Sequence, residues 1–135
     1  MSTNSLRSGK RPALPPELGW AIEAAQNKKA AEVTLLDLRE LGAFTDSFVL
    51  CTGYSARQVQ AISDTIEEQL ALRGVRLAHR EGYDSAEWVL LDYGGFIVHV
   101  FSERARRFYD LERLWRPAHR TDFPAAEPAS GANEP

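Results

Sequence analysis

The sequence predicts a single α/β domain in which helices pack against a mixed sheet of five strands. A length of 135 residues and a hydrophobic content of 44% suffice for one domain with a substantial core. Apolar residues recur at helical spacing in three segments and form short strand-like runs in others. The pair Gly94-Gly95 separates two of these runs, which is typical of a two-residue β-hairpin. The resulting order α-β-β-α-β-β-β-α favours helices packed on a mixed sheet.

The two ends of the chain differ in composition from its middle. Residues 1–16 carry three basic side chains and no acidic one, and they end on two prolines. Residues 117–135 are rich in proline and alanine. Neither end has the periodic apolar residues that packing requires. We therefore expect a disordered arm over 1–16, the domain over 17–116 and a disordered tail over 117–135.

The first half of the domain is expected to contain two helices and two strands. Pro16 can begin a helix, because the N–H that it lacks would have no partner there. Strands are predicted over 33–38 and 47–52, and the second is apolar enough to be buried on both faces. Ser55 and Gln58 have the spacing of a capping box at the start of a second helix. That helix carries an apolar stripe at Val59, Ile62, Ile66 and Leu70.

The second half is expected to contain three strands and a last helix. Gly74 is placed to end the second helix, and a short edge strand over 75–80 leads into a loop over 81–87. The hairpin follows. Ser102 can then cap a helix that Pro117 ends. The apolar side predicted for this helix consists of Ala105, Phe108, Leu111, Leu114 and Trp115.

The hairpin has two faces of different character if Tyr93 pairs with Phe96. One face is wholly apolar and is expected to pack on helices; it consists of Val89, Leu91, Tyr93, Phe96, Val98 and Val100. The other is mixed, which suggests a partly exposed surface; it consists of Trp88, Leu90, Asp92, Ile97, His99 and Phe101. Trp88 could be an aromatic anchor of a protein interface or simply a core residue, and its type alone leaves both interpretations open.

Composition excludes several classes of function. The net charge of −3 argues against broad phosphate binding, so no sequence-specific nucleic-acid partner is expected. A single cysteine, Cys51, permits no disulfide framework and fits a reducing cytosol. No apolar run approaches the ~20 residues of a membrane span. The three histidines lack metal-ligand spacing, so no metal site is expected. No other cofactor is expected either. We expect the protein to be cytoplasmic.

Two catalytic interpretations can be written for the sequence. Ser85, His99 and Asp92 could form a triad, but their spacing gives no support. Residues 53–55 could hold a phosphate at a helix N-terminus, as in a small nucleotidyltransferase-like or nucleotide-binding enzyme. Such an enzyme also needs paired carboxylates on the next strand, and 75–80 contains none. This enzyme remains the alternative function; a strand end and a helix cap account for the same residues.

The segment 82–94, which reads GYDSAEWVLLDYG, is very similar to the signature of the ribosomal silencing factors, also called Iojap-like or RsfS-like proteins. The segments 98–101 and 108–115 resemble the family as well, and so do 45–49 and 55–59 further upstream. The resemblance covers about 17–116. Tyr54 departs from it, because a smaller residue is usual there.

The resemblance implies a nucleotidyltransferase-like topology without catalytic residues, in a protein that is not an enzyme. It implies binding to the large ribosomal subunit through ribosomal protein number fourteen, at the face that meets the small subunit. Association of the subunits would then be blocked sterically and translation repressed in starvation or stationary phase. Some members of the family are homodimers when free.

On this basis we expect the partner-binding residues to lie on the mixed hairpin face and in the loop before it. Trp88 and Leu90 would be apolar anchors. Asp84 and Asp92 would meet basic groups of the partner. Tyr83 and His99 would complete the rim of the interface.

Overall fold

The structure, a computed structural model, describes residues 13–125. The helices are α1 (Pro16–Asn27), α2 (Ala56–Leu72), α3 (Glu103–Tyr109) and α4 (Leu111–Leu114). The strands are β1 (Ala31–Asp37), β2 (Ser47–Gly53), β3 (His79–Glu81), β4 (Trp88–Asp92), β5 (Phe96–Ser102) and β6 (His119–Phe123).

The described strands form one mixed sheet in the order β3-β4-β5-β2-β1-β6. Strands β2 and β5 are parallel, and each of the other neighbouring pairs is antiparallel. The predicted α/β class is confirmed. The parallel pair lies at the centre, and every residue of β2 is buried, as the apolar run predicted.

Each face of the sheet has its own core. Helices α1 and α2 cover one face, where Val49, Val98 and Val100 meet Ile62 and Ile66. The short helices α3 and α4 cover part of the opposite face. There Leu111 packs with residues of three strands, Leu36, Leu50, Ile97 and Phe101 among them. The long helices α1 and α2 cover the first face more completely than the short helices α3 and α4 cover the second. The second face therefore retains partly exposed apolar groups.

The hairpin has the predicted register. The backbone N–H of Tyr93 donates to the carbonyl of Phe96 at 3.0 Å, and Leu90 lies opposite His99. Gly94 takes a φ of 88°, a conformation that favours glycine. The apolar face of the hairpin therefore packs on α1 and α2, as expected.

The predicted caps also form. Ser55 Oγ accepts a hydrogen bond from the N–H of Gln58 at 3.0 Å. The Gln58 side chain accepts its return bond from Tyr54 N–H at 2.7 Å, one residue before the cap. Gly74 follows α2 with a φ of 79°, and Ser102 caps α3.

The described chain has six strands, so the expectation of five was wrong. Strand β6 lies within the predicted tail and pairs antiparallel with β1, from Val33 opposite Phe123 to Asp37 opposite His119. Its sequence lacks apolar alternation because it is an edge strand whose side chains are mostly exposed. Backbone hydrogen bonds to β1, rather than burial of side chains, hold most of β6 in place. Residues 1–12 of the predicted arm and 126–135 of the predicted tail lie outside the described residues.

Two further predictions were wrong in detail. The last helix is not continuous, because Asp110 takes a left-handed conformation with a φ of 48° between α3 and α4. Consequently Phe108 and Leu114 are 76% and 71% exposed instead of buried. The edge strand expected over 75–80 forms only at His79–Glu81, paired with β4.

Candidate functional site

Trp88 lies on β4 at the margin of the second core and is half-buried. Its Nε1–H donates to His99 Nδ1 at 3.0 Å. Its ring contacts Phe101 and Tyr109, with centroid distances of 5.3 and 4.5 Å. Trp88 is therefore neither a closed core residue nor a free surface residue. One side of the indole is fixed by the fold, and part of the ring remains exposed.

His99 lies beneath this tryptophan and is only 3% exposed. The prediction that it forms part of an exposed rim was wrong, because β5 sits in the middle of the sheet and its ring packs against Phe48 at 4.5 Å. Burial lowers the pKa of His99 to about 3, so the ring is neutral at physiological pH. Since Nδ1 accepts from the indole, the proton is assigned to Nε2. His99 thus fixes the orientation of Trp88 from beneath and is not itself exposed.

Leu90 and Asp92 share the face of Trp88, and both are half-buried. Leu90 packs against the second core. One carboxylate oxygen of Asp92 accepts from Gly94 N–H at 2.8 Å, which stabilises the hairpin turn. The other oxygen has no hydrogen-bond partner within residues 13–125. Leu90 and Asp92 therefore extend the surface of Trp88 along β4.

Tyr83 and Asp84 lie apart from that surface. The Tyr83 hydroxyl donates to Asp64 of α2 at 2.8 Å, and the guanidinium of Arg80 stacks on its ring at 4.3 Å. Since α2 covers the opposite face of the sheet, these contacts do not join Tyr83 to Trp88. Asp84 is exposed in the same loop. The predicted set is therefore divided between one face and one edge of the sheet.

Sequence reasoning missed Tyr109, which is 47% exposed and whose ring contacts that of Trp88 at a tilt of 47°. Tyr109 is the last residue of α3 and lies four residues after the buried Ala105, so helical spacing places both on the same side of that helix. Asp tolerates the left-handed conformation better than most residues, which is the one local signal for the break. We call Trp88, Leu90, Asp92 and Tyr109 the docking surface.

Arg106 fixes α3 and α4 to the sheet, although it belongs to a charged run that the sequence presents as a solvated helix face. Its side chain is 5% exposed. The guanidinium donates to the Glu32 carbonyl at 2.8 Å, to Thr52 Oγ1 at 3.0 Å and to Glu112 at 2.6 Å. The carbonyl of Glu32 is presented by a bulge in β1, where that residue has a φ of 51°. A buried, fully paired arginine of this kind holds Tyr109 in place through its helix.

Comparison with known proteins identifies the family. A family model described as "Ribosomal silencing factor during starvation" matches residues 12–135. The chain belongs to this family. A ribosomal silencing factor of Bacillus subtilis is 39% identical over 103 residues, 76% of this chain and 87% of that protein. The chloroplastic Iojap protein of Zea mays is 30% identical over 102 residues, 76% of this chain and 44% of that longer protein.

Solved structures of relatives have the same fold. A crystal structure of a Chromobacterium violaceum protein superposes with a TM-score of 0.72 at 35% identity, covering 84% of this chain and 96% of that one. A Bacillus halodurans structure gives 0.67 at 39% identity, covering 73% and 91%. The resemblance found in the sequence is thereby confirmed. Ribosome silencing, and with it regulation of translation, is the role of the family to which the chain belongs.

The residues considered for catalysis make other contacts in this protein. Ser85 donates to the Gly82 carbonyl at 3.3 Å, and His99 is bound to Trp88, so neither meets the other. A Cβ at Gly53 would lie 2.9 Å from the Val59 side chain, so the strand end is packed closely against α2. Burial raises the pKa of the Cys51 thiol to about 12, which keeps it protonated. No set of residues within 13–125 has the grouping of a metal site, and no helix in that range has the length and hydropathy of a membrane span.

The buried neutral His99 predicts a specific loss of stability in mild acid. Unfolded, the imidazole titrates near its ordinary pKa of about 6.5, whereas the folded pKa is about 3. The contribution of the neutral imidazole to stability is therefore complete at pH values above the pKa of the unfolded state. It is lost as the pH falls towards the pKa of the folded state. Between pH 7 and pH 5 we expect a loss of about 2 kcal/mol in the free energy of unfolding.

The control is His99→Gln, whose amide can accept the Trp88 N–H and does not titrate. Urea unfolding of both proteins at the two pH values isolates the contribution of the imidazole, because the other titrating groups are shared. Equal losses in the two proteins would show that the folded state does not exclude the proton from His99.

Proposed function

We propose that this protein binds the large ribosomal subunit through ribosomal protein number fourteen and sterically blocks association with the small subunit. Translation would thereby be repressed in starvation or stationary phase, in the cytoplasm. The observation that carries the proposal is the docking surface: an indole and a phenol, in contact with each other, that the fold leaves partly uncovered. Such half-exposed aromatics are the usual anchors of protein interfaces.

The fixed geometry of the docking surface supports a binding role. A side chain that is already held in one orientation loses little entropy on binding. Trp88 is held by its hydrogen bond to His99, and α3, with Tyr109, is held by the buried Arg106. A partner would therefore meet a preorganised surface.

The polar groups of the proposed interface suit a basic partner. Asp84 is exposed, and one oxygen of Asp92 is not engaged by the turn. Carboxylates at the rim of an interface favour encounter with a basic protein and fix its orientation. Tyr83 and Asp84 would contact the partner from the edge of the sheet, and Trp88 and Leu90 from its second face.

The proposed mechanism requires only that the bound protein excludes the small subunit from its binding face. A typical stable interface buries about 800 Å² on each partner. A domain of this size bound on the face that meets the small subunit would occupy space that the small subunit needs. In the free protein, a second copy could cover the same apolar groups, which is how we account for the homodimers that the family resemblance implies.

Cosedimentation tests the proposed binding. We expect the protein to sediment with purified large subunits and not with small subunits, and to bind isolated ribosomal protein number fourteen. Absence of cosedimentation with large subunits at saturating protein would refute the proposal. Binding to large subunits without binding to the isolated protein would refute the named partner.

A further inference from the structure

The break at Asp110 opens a groove of about 710 Å³ beside the docking surface. Its lining combines three arginines with exposed apolar groups: Arg107, Arg113, Arg116, Phe108, Tyr109 and Leu114. Tyr109 belongs to both the groove and the docking surface, because its ring contacts Trp88. The groove therefore lies next to whatever covers Trp88.

The charge of the groove is opposite to that of the whole protein. Within residues 13–125, Arg107, Arg113 and Arg116 have no hydrogen bond or ion pair from their guanidinium groups. By contrast, Arg104 pairs with Glu87 at 3.4 Å and Arg106 with Glu112 at 2.6 Å. Asp110 is the one acidic residue of the lining. A chain with a net charge of −3 thus places three unpaired arginines along this groove.

We infer that this groove binds the phosphate backbone of an RNA strand on the large subunit, beside the protein contact at Trp88. This inference rests on the proposed function. Guanidinium groups match the geometry of phosphate oxygens and bind them in pairs of hydrogen bonds. Phe108 is 76% exposed and presents its ring to an unpaired base, for which stacking on an aromatic side chain is a common mode of recognition.

An RNA strand fits the groove better than an acidic peptide. The groove borders the docking surface, and in a ribosomal subunit the surroundings of a protein are largely RNA. The contact is short, since three arginines can neutralise only about three phosphates. A short contact is also compatible with a protein whose net charge is −3.

The test compares two triple variants of the full chain. Arg107→Gln/Arg113→Gln/Arg116→Gln removes the charge of the groove. Lys28→Gln/Lys29→Gln/Arg57→Gln removes the same charge from exposed positions elsewhere. Affinity for purified large subunits is measured across a range of salt concentrations, and affinity for isolated ribosomal protein number fourteen at one concentration.

For the groove variant we expect a loss of at least tenfold in affinity for the large subunit at about 0.1 M salt. The slope of log affinity against log salt should become shallower by about two to three, because each phosphate contact contributes about 0.7 to 0.9. Affinity for the isolated ribosomal protein should not change. The control variant should keep the slope of the parent chain. Phe108→Ala should weaken binding to the large subunit at least fivefold. Its effect on binding to the isolated protein should be smaller, because Phe108 reaches the docking surface only through its contact with Tyr109.

Unchanged affinity and slope in the groove variant would overturn the inference. Loss of affinity for the isolated protein as well would also overturn it, because the arginines would then contact carboxylates of that protein. Failure of the parent chain to bind either target would instead refute the proposed function, so the two failures are distinguishable.

Discussion

Deletion of residues 117–135 is expected to lower the melting temperature by more than about 10 °C, which corresponds to roughly 2 to 3 kcal/mol in a domain of this size. The deletion removes β6 and leaves the edge of β1 unpaired. It removes Phe123, which packs on the first core. It also removes Asp122, which accepts a hydrogen bond from Thr34 at 2.8 Å.

The loss should extend to the second face of the sheet. The hydroxyl of Thr34 that donates to Asp122 also accepts from the buried Arg106 at 3.1 Å. Without β6, one hydrogen bond of this network is broken and its surroundings are opened to water. The matched control deletes only 126–135, which lie outside β6, and should melt within a few degrees of the full chain. Equal melting temperatures for the two deletions would show that β6 does not stabilise the domain.

Trp88→Ala is expected to weaken binding to the large subunit by ~30-fold or more, equivalent to ~2 kcal/mol for loss of an aromatic anchor. Because the indole is half-buried, we also expect a moderate loss of stability. It should be smaller than the ~3 to 5 kcal/mol typical of a core tryptophan. Both quantities are measured on the same preparation, by thermal unfolding and by affinity for purified large subunits.

Two variants separate binding from folding in this experiment. Leu91→Ala alters a residue that is fully buried on the opposite face, so it should cost stability and leave the affinity of the folded protein unchanged. Tyr109→Ala alters the exposed neighbour of Trp88 and should cost affinity with little effect on stability. If the Trp88→Ala and Tyr109→Ala proteins fold and bind normally, the docking surface is wrongly assigned.

The sequence was most informative where apolar periodicity and turn chemistry agree. The buried strand β2, the cap at Ser55 and the hairpin at Gly94 were all predicted from residue types and spacings that are typical of those elements. The hairpin register followed from the two-residue turn alone. Once the register is known, alternation assigns Leu91 and Val98 to one face and Trp88 and Leu90 to the other.

The features that sequence reasoning missed depend on tertiary contacts. Strand β6 is polar, and only pairing with β1 makes it a strand. Arg106 has the same sequence character as its exposed neighbours, and its burial is apparent only when Glu112 and the bulge at Glu32 meet it. His99 was assigned to a partly exposed face because periodicity gives the faces of a strand but not the helix that covers each one.

Association of purified ribosomal subunits, followed by light scattering, tests the central proposal most directly. Small and large subunits are mixed with increasing amounts of the protein, and the yield of whole ribosomes is measured. We expect the yield to fall to a low plateau as the large subunit becomes saturated, and Trp88→Ala to require ~30-fold more protein for the same effect. An undiminished yield of whole ribosomes, with large subunits shown by sedimentation to carry the protein, would contradict steric exclusion.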